Sequence, residues 1–234
     1  MNDDPVSILG VDTSSAAVSA CVLRADGEAF EVAPDPVRAG RPPAHAQELM
    51  PAIADVMERA GLQWGHLAAI AVGVGPGAFT GLRIGLATAR ALAGANGLPL
   101  RGVSSLAALA EGIESHTRLP VIDAKRGEVF AALYEDGKEL WPPFAARPEA
   151  VAERVREEAA ARAQRSSFVP SAAGDGSVRF RQVLESAGIR VAPEGSGAHA
   201  VRALHVCRLA AEAPDELPAT IVPEYLRAPD ARPL

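Results

Sequence analysis

The stretch from Gly73 to Gly85, Gly-Val-Gly-Pro-Gly-Ala-Phe-Thr-Gly-Leu-Arg-Ile-Gly, constrains the fold of this chain more than any other. Before it, residues 67–74 are apolar at nearly every position. That is the pattern of a strand buried on both faces, as in a parallel sheet. After it, residues 80–93 read as a helix with Gly81 and Gly85 one turn apart. Strand, glycine-rich turn, helix is an order in which α/β proteins hold phosphate, because backbone amides and the helix dipole favour an anion. The spacing departs from both common forms of that site. No Gly-Lys-Ser/Thr is present, and Pro76 removes an amide that a dinucleotide loop would use. Thr80 fits as the helix N-cap. A second reading of the same glycines is steric: a tight turn and close helix packing.

The helix itself adds a constraint. Gly81, Gly85, Thr88 and Ala89 form a nearly bare face, Leu82, Ile84 and Leu86 point elsewhere, and Arg83 and Arg90 are the only charges in 80–93. A helix that is apolar on most faces must be covered on most faces. In a chain of 234 residues, one of those covers is expected to be another protein.

The rest of the chain reads as two units. Residues 6–11 form a short apolar strand ending at Asp12-Thr13-Ser14-Ser15. Asp12 with its neighbouring hydroxyls could hold Mg²⁺ or orient phosphate oxygens, or form an Asx-turn with its own backbone. Strands over 17–23 and 28–32 complete a meander, joined by the Asp26-Gly27 turn. A loop with three prolines spans 35–43. Residues 45–60 read as a helix with Leu49, Ile53, Val56, Met57 and Ala60 on one stripe; Pro51 allows a start near Met50, and Gly61 ends it. A strand over 98–102 leads to Ser104 and Ser105, which can cap a helix over 106–112. The second unit opens near Arg118 with strands ending at Asp123 and running over 129–134. Helices follow at 149–165, 180–187 and 198–213, with a loop at 171–178 and a mostly irregular tail over 219–227. Both halves open with a strand that ends in aspartate and is followed by another strand, which points to a duplicated domain.

Composition narrows the function. Hydrophobic residues are 48% and charged residues 22%, a globular balance. Aromatics are 4%, so Ala, Val, Leu and Gly must build the core. A net charge of -6 disfavours broad binding to nucleic acid. Cys21 and Cys207 sit in no CxxC or Cys/His cluster and read as buried thiols in a reducing compartment. Neither a signal peptide nor a membrane span is expected, so cytoplasm is the expected compartment. His45, His66, His116, His199 and His205 form no metal-ligand spacing, and no GxSxG occurs. Asp123 and Glu128 flank Lys125-Arg126-Gly127, where they balance charge or pair as acids. No complete active site is visible.

The chain resembles the bacterial TsaB family, also called YeaZ. The residues that carry the resemblance are Ile8-Leu9-Gly10-Val11-Asp12-Thr13-Ser14, His45-Ala46-Gln47-Glu48-Leu49, Gly73 through Gly85 and Val103-Ser104-Ser105-Leu106. Asp123-Ala124-Lys125-Arg126-Gly127-Glu128-Val129 and Pro223-Glu224-Tyr225-Leu226-Arg227 complete the set. The resemblance implies an α/β protein of the actin-like ATPase (ASKHA) fold, with two related lobes of mixed sheets flanked by helices. The expected division is a partner-binding N-terminal lobe over 1–105, a smaller lobe over 106–195, and a helix and tail over 196–234 packing back on the first lobe. It further implies a non-catalytic partner and activator of a TsaD-like subunit, which forms N6-threonylcarbamoyladenosine beside the anticodon of tRNAs reading codons that start with A. A TsaE-like small ATPase joins the assembly, tRNA is met through the complex, and the chain alone forms a homodimer. The expected interface is His45, Leu49, Ile53, Val56, Thr80, Gly81, Arg83, Ile84, Gly85, Thr88 and Ala89. Asp12, Thr13, Ser14, Gly75 and Gly77 remain as a vestigial nucleotide site, with no tightly bound cofactor and ATP or ADP expected, if anywhere, at the interface of the full complex. The catalytic relatives carry a metal-binding histidine pair; here His45 is followed by Glu48-Leu49 with no second histidine, and the first phosphate loop lacks its glycine. The alternatives are a nucleotide-binding enzyme or kinase of the same superfamily, and a metallopeptidase-like hydrolase.

Overall fold

A computed structural model describes residues 7–34, 44–162, 168–215 and 220–226. The expected proline-bearing loop at 35–43, the end of the helix expected to reach 165, and Arg227 lie outside the described residues. The first sheet contains β1 (Ser7–Asp12), β2 (Ser19–Leu23), β3 (Ala29–Val32), β4 (Leu67–Gly75) and β5 (Leu100–Ser104), in the order β3-β2-β1-β4-β5. The second contains β6 (Thr117–Lys125), β7 (Glu128–Glu135), β8 (Lys138–Ala146), β9 (Ser171–Ala173) and β10 (Arg190–Val191), in the order β10-β9-β6-β7-β8.

Placing β6 to β10 on β1 to β5 reproduces the order and every strand direction. In each sheet the first three strands pair antiparallel, and the first, fourth and fifth run parallel. The duplication expected from two aspartate-ending strands is therefore present strand by strand. It places Asp12 at the end of β1 and Asp123 near the end of β6 in equivalent positions.

The central strands are buried on both faces, as the apolar sequence of β4 requires. Side chains alternate across the sheet. Leu9, Val11, Ile70 and Val72 pack with α1 (His45–Ala60) and α2 (Phe79–Asn96), through Leu49, Ile53, Val56, Leu86 and Ala89. Ile8, Cys21, Ala71 and Val103 face the other way, toward α3 (Ser105–Glu111) and α7 (Ala203–Ala211). Ile122, Ala124, Phe130 and Ala132 of the second sheet join that same cluster, so the two sheets share a core through α3 and α7. The far face of the second sheet packs Leu119, Val121, Val129 and Leu133 with α4 (Pro148–Arg162) and with Leu184 of α6 (Arg181–Glu185). Fully burying such a side chain contributes about 1.5–3 kcal/mol.

Several local expectations change. Helix α1 starts at His45, not near Met50. Pro51 is tolerated because it lies on the exposed side, where the carbonyl it leaves unpaired at Gln47 can reach water. Gly61 and Gly97 close α1 and α2 in the left-handed conformation, at φ 66° and 64°. Helix α2 starts at Phe79 with Ala78 as its N-cap, so Thr80 lies inside the first turn. Ser104 occupies the N-cap of α3 but makes no capping bond. The segment 138–146 is a strand, although Pro142 and Pro143 argue against one; β8 is a sheet edge, where a missing amide costs little. The expected loop at 171–178 contains β9 and the short α5 (Asp175–Arg179). The last helix is confined to 203–211, with a separate 3-10 turn at 197–199. No helix of the described residues is long and apolar enough to cross a membrane.

Candidate functional site

Parallel pairing brings the ends of β1 and β4 to the same edge of the first sheet. Asp12 therefore emerges beside Gly73 and Gly75, at the position where α/β sheets hold ligands. Its carboxylate is buried. Oδ1 accepts from the Ser14 amide at 3.0 Å and from Ser14 Oγ at 2.7 Å, and Ser105 Oγ lies 3.5 Å from Oδ2. Burial pushes the Asp12 carboxyl up to about 6, against the partial pull of the Ser14 and Ser105 donors.

The glycines of the turn are filled by this same segment. A Cβ on Gly77 would fall 2.5 Å from the Ser14 carbonyl oxygen, on Gly81 2.0 Å from the Thr13 carbonyl oxygen, and on Gly85 2.2 Å from Thr13 Oγ1. Thr13 Oγ1 donates to the Gly81 carbonyl at 2.8 Å, and the Ala78 amide donates to the Ser14 carbonyl at 2.7 Å. That amide opens the helix, where a phosphate would bind in an anion site. His45, buried at the start of α1, places Nε2 2.8 Å from the Ser15 carbonyl and so donates to it. Thus Asp12, Thr13, Ser14 and Gly77 lie together, with Asp12 and Ser14 bonded to each other and Gly77 packed against Ser14, whereas Gly75 faces the Glu224 carbonyl and Leu82.

The interface residues expected from the sequence divide in two. His45, Leu49, Ile53, Val56, Gly81, Gly85 and Ala89 are inside the lobe. They pack α1 and α2 onto the sheet and onto the 12–15 turn, because the bare face of α2 is what lets the turn approach. Thr80 and Arg83 are exposed, and Ile84 and Thr88 half-exposed. Ala87 and Ala91 extend the outward face.

Residues not expected from the sequence complete that surface. Phe79 and Tyr225 are each 42% exposed and Val222 64%. The segment 221–226 lies along α2: the Ile221 carbonyl accepts from Arg90 Nη2, and the Glu224 amide donates to Val74 O at 2.7 Å. The Phe79 and Tyr225 rings stand 5.4 Å apart, and the Arg83 guanidinium lies 3.9 Å from the centre of the Phe79 ring. The available signal was the rarity of aromatics in this chain, which makes an exposed Phe-Tyr pair conspicuous.

The equivalent aspartate of the second sheet is differently used. Asp123 meets Lys125 Nζ at 2.8 Å and Arg179 at 2.9 Å, and its amide donates to Asp175. Burial would raise its carboxyl, but the Lys125 ammonium and backbone amide, with the Arg179 guanidinium, outweigh burial and hold it below the usual range. Among the described residues no group of three or more His, Cys, Asp or Glu could hold a metal ion. His199 bonds the Gly174 loop, His205 the Ala108 carbonyl and His116 the Asp136 carboxylate.

The family model described as TsaD, tRNA N6-adenosine threonylcarbamoyltransferase, matches residues 36–231. An uncharacterised protein of Mycobacterium tuberculosis is 34% identical over 97% of this chain and 95% of its own length. One of Mycobacterium leprae is 39% identical over 60% of this chain, a match that spans 39% of that protein. The tRNA threonylcarbamoyladenosine biosynthesis protein TsaB of Escherichia coli is 35% identical over 64% of this chain and 66% of its own length. The solved structure of YeaZ from Pseudomonas aeruginosa superposes with a TM-score of 0.74 at 27% identity, covering 94% of this chain and all of that one.

Proposed function

The chain belongs to the TsaB/YeaZ family, within the wider family whose model is TsaD, and on that footing we propose that it is a non-catalytic subunit. It binds and activates a TsaD-type catalytic subunit that forms N6-threonylcarbamoyladenosine on tRNA. The observation that carries this reading is the outward face of α2. Thr80, Arg83, Ala87 and Ala91 present small or flexible side chains beside exposed Phe79 and Tyr225. Small side chains let another helix approach closely, and a contiguous apolar patch marks a protein contact.

The ligand end of β1 and β4 supports the same reading. The Ala78 amide and the glycine cavities are taken by Thr13 and Ser14, so this edge serves to hold α2 in place. The buried residues His45, Leu49, Ile53, Val56, Gly81, Gly85 and Ala89 act as support, and the exposed faces of α1 and α2 make contact. ATP or ADP belongs to the assembled complex. A TsaE-like ATPase and tRNA are reached through that complex, in the cytoplasm, and a homodimer of the free chain uses the same helices.

The test is reconstitution. The purified chain with tRNA and a source of threonylcarbamoyl-adenylate should yield no modified adenosine. The catalytic and small ATPase subunits should yield it when the chain is added. Modification by the chain alone, or full activity without it, would overturn the reading.

A further inference from the structure

Helix α7 lies on the face of the first sheet opposite α1 and α2, and its own sequence supplies no cap. Residues 200–203 are Ala-Val-Arg-Ala, none of them a preferred N-cap, and Arg202 at the N-cap makes no capping bond. The caps come from the sheet instead. Ser19 Oγ of β2 accepts from the Ala203 amide at 2.9 Å, and Glu31 Oε1 of β3 accepts from the Leu204 amide at 3.1 Å. Glu31 Oε2 takes Arg202 Nε at 3.0 Å and also Nη2. At the far end Arg101 of β5 donates Nη1 to the Ala210 carbonyl at 2.9 Å and is itself held by Asp215 at 2.7 Å. An anion thus sits at the positive end of the helix and a cation at the negative end, from 173 and 109 positions away. Only 8% of the Glu31 side chain and 12% of the Arg101 side chain is exposed, so dissolved salt screens them little. They stand on opposite edge strands, and the helix is pinned across the width of the sheet. Between the pins it is seated closely: a Cβ on Gly10 would fall 2.5 Å from Cys207 Sγ and 2.9 Å from the Ala203 carbonyl oxygen.

The place of α7 in the chain gives these pins a consequence. His199 still bonds the Gly174 loop after β9, whereas Arg202 already bonds Glu31, so the chain crosses from the second sheet to the first within three residues. Val206, Cys207 and Ala210 then share one core with Ile8, Cys21 and Ala71 of the first sheet and with Ile122 and Ala132 of the second. We propose that α7 is a clasp between the two sheets, closed by Glu31 at one end and Arg101 at the other, and that it opens from the first sheet as a unit, ahead of global unfolding, when either pin is lost. Nine residues without a cap of their own are too few to stay helical in water, so the helix persists only while docked. Opening uncovers Cys21 and Cys207, which are otherwise fully buried, and the two thiols report it.

The experiment is alkylation of the full chain with iodoacetamide at pH 8 in native buffer and in rising denaturant, read at each cysteine by peptide mass, with amide hydrogen exchange of β1 and β4 in parallel. The variants are Glu31→Gln and Arg101→Gln. Val155→Ala, in the far core of the second sheet, is the control for ordinary destabilisation, and denaturant titration ranks all four proteins. Each pin variant is expected to label Cys207 about tenfold or more faster than the parent in native buffer. That rate should rise little at low denaturant while the β1 and β4 amides stay protected. Val155→Ala should label faster only in proportion to its loss of global stability. Unchanged labelling in the pin variants, or labelling that follows their global stability as it does in Val155→Ala, overturns the clasp. If a pin variant is much less stable than the parent, comparison with Val155→Ala at equal stability decides, since the clasp requires the faster labelling in the pin variant.

Discussion

The Asp12 carboxylate occupies the space where a side chain at residue 73 would lie: a Cβ built on Gly73 would fall 1.9 Å from Asp12 Oδ2. One glycine on β4 thus allows the aspartate at the end of β1 to turn inward, out of water. The neighbouring contacts of Thr13 and Ser14 with the α2 turn depend on that inward course.

Burying Asp12 makes stability depend on pH. Its carboxyl rises from 3.8 to about 6 on folding. A carboxyl raised in the folded state favours folding most below the unfolded value, and that advantage is lost as pH rises through the folded value. Between pH 4 and 6 the parent should lose on the order of 2 kcal/mol relative to an uncharged isostere. Asp12→Asn keeps an oxygen for the Ser14 donors. Its melting temperature should therefore exceed the parent's increasingly from pH 4 to pH 7. A difference that does not change with pH would show that Asp12 is not desolvated in solution.

The Thr13 and Gly85 contact should appear as coupling in a double-mutant cycle. Gly85→Ala should cost about 1–3 kcal/mol through overpacking against Thr13 Oγ1. Thr13→Ala should cost about 1 kcal/mol through the lost bond to the Gly81 carbonyl. Together they should cost less than the sum by about 1 kcal/mol. Gly81→Ala meets the Thr13 carbonyl, a backbone atom, so Thr13→Ala should not rescue it. Denaturant titration of the four proteins of each cycle measures both, and additivity in the first cycle would contradict the contact.

The cysteines should report global unfolding. Cys21 and Cys207 are fully buried, Cys207 lies 3.6 Å from the Ile8 carbonyl oxygen, and burial pushes its thiol well above the usual range. Alkylation of the folded chain at pH 8 should therefore follow the population of the unfolded state, accelerating with denaturant in step with the unfolding transition. Rapid labelling in the native buffer would mean that α7 detaches from the first sheet.

The closed turn predicts no measurable Mg·ATP binding by the isolated chain. The Ala78 amide is taken by the Ser14 carbonyl, and the Ser14 amide and hydroxyl are taken by the buried Asp12 carboxylate. Isothermal titration with Mg·ATP should give no saturable heat. Saturable binding abolished by Asp12→Ala would reopen the nucleotide-enzyme reading.

Much of this protein was determined by its sequence alone. The apolar run at β4 specified a strand buried as in a parallel sheet, and the short apolar run at β1 specified a second strand. The aspartate-ending strands at 12 and 123 marked the duplication, and the charge-poor run 80–93 marked a helix without a solvated face. Those properties are local, because side-chain period and glycine position act within one element. The tertiary structure alone decided what fills each space. A glycine tells that something comes close, but Thr13 at Gly85 and Asp12 at Gly73 become neighbours only when β1 and β4 pair across the chain. It also decided that Ala89 and Gly85 face inward, leaving Thr80, Arg83 and Ala87 outside. A bare face serves an internal turn as well as it serves a partner, and the sequence pattern is the same for both. Arg90 and Ile221, 131 positions apart, meet because the tail folds back along α2, a contact set by the packing of whole elements and carried by no local pattern at either end.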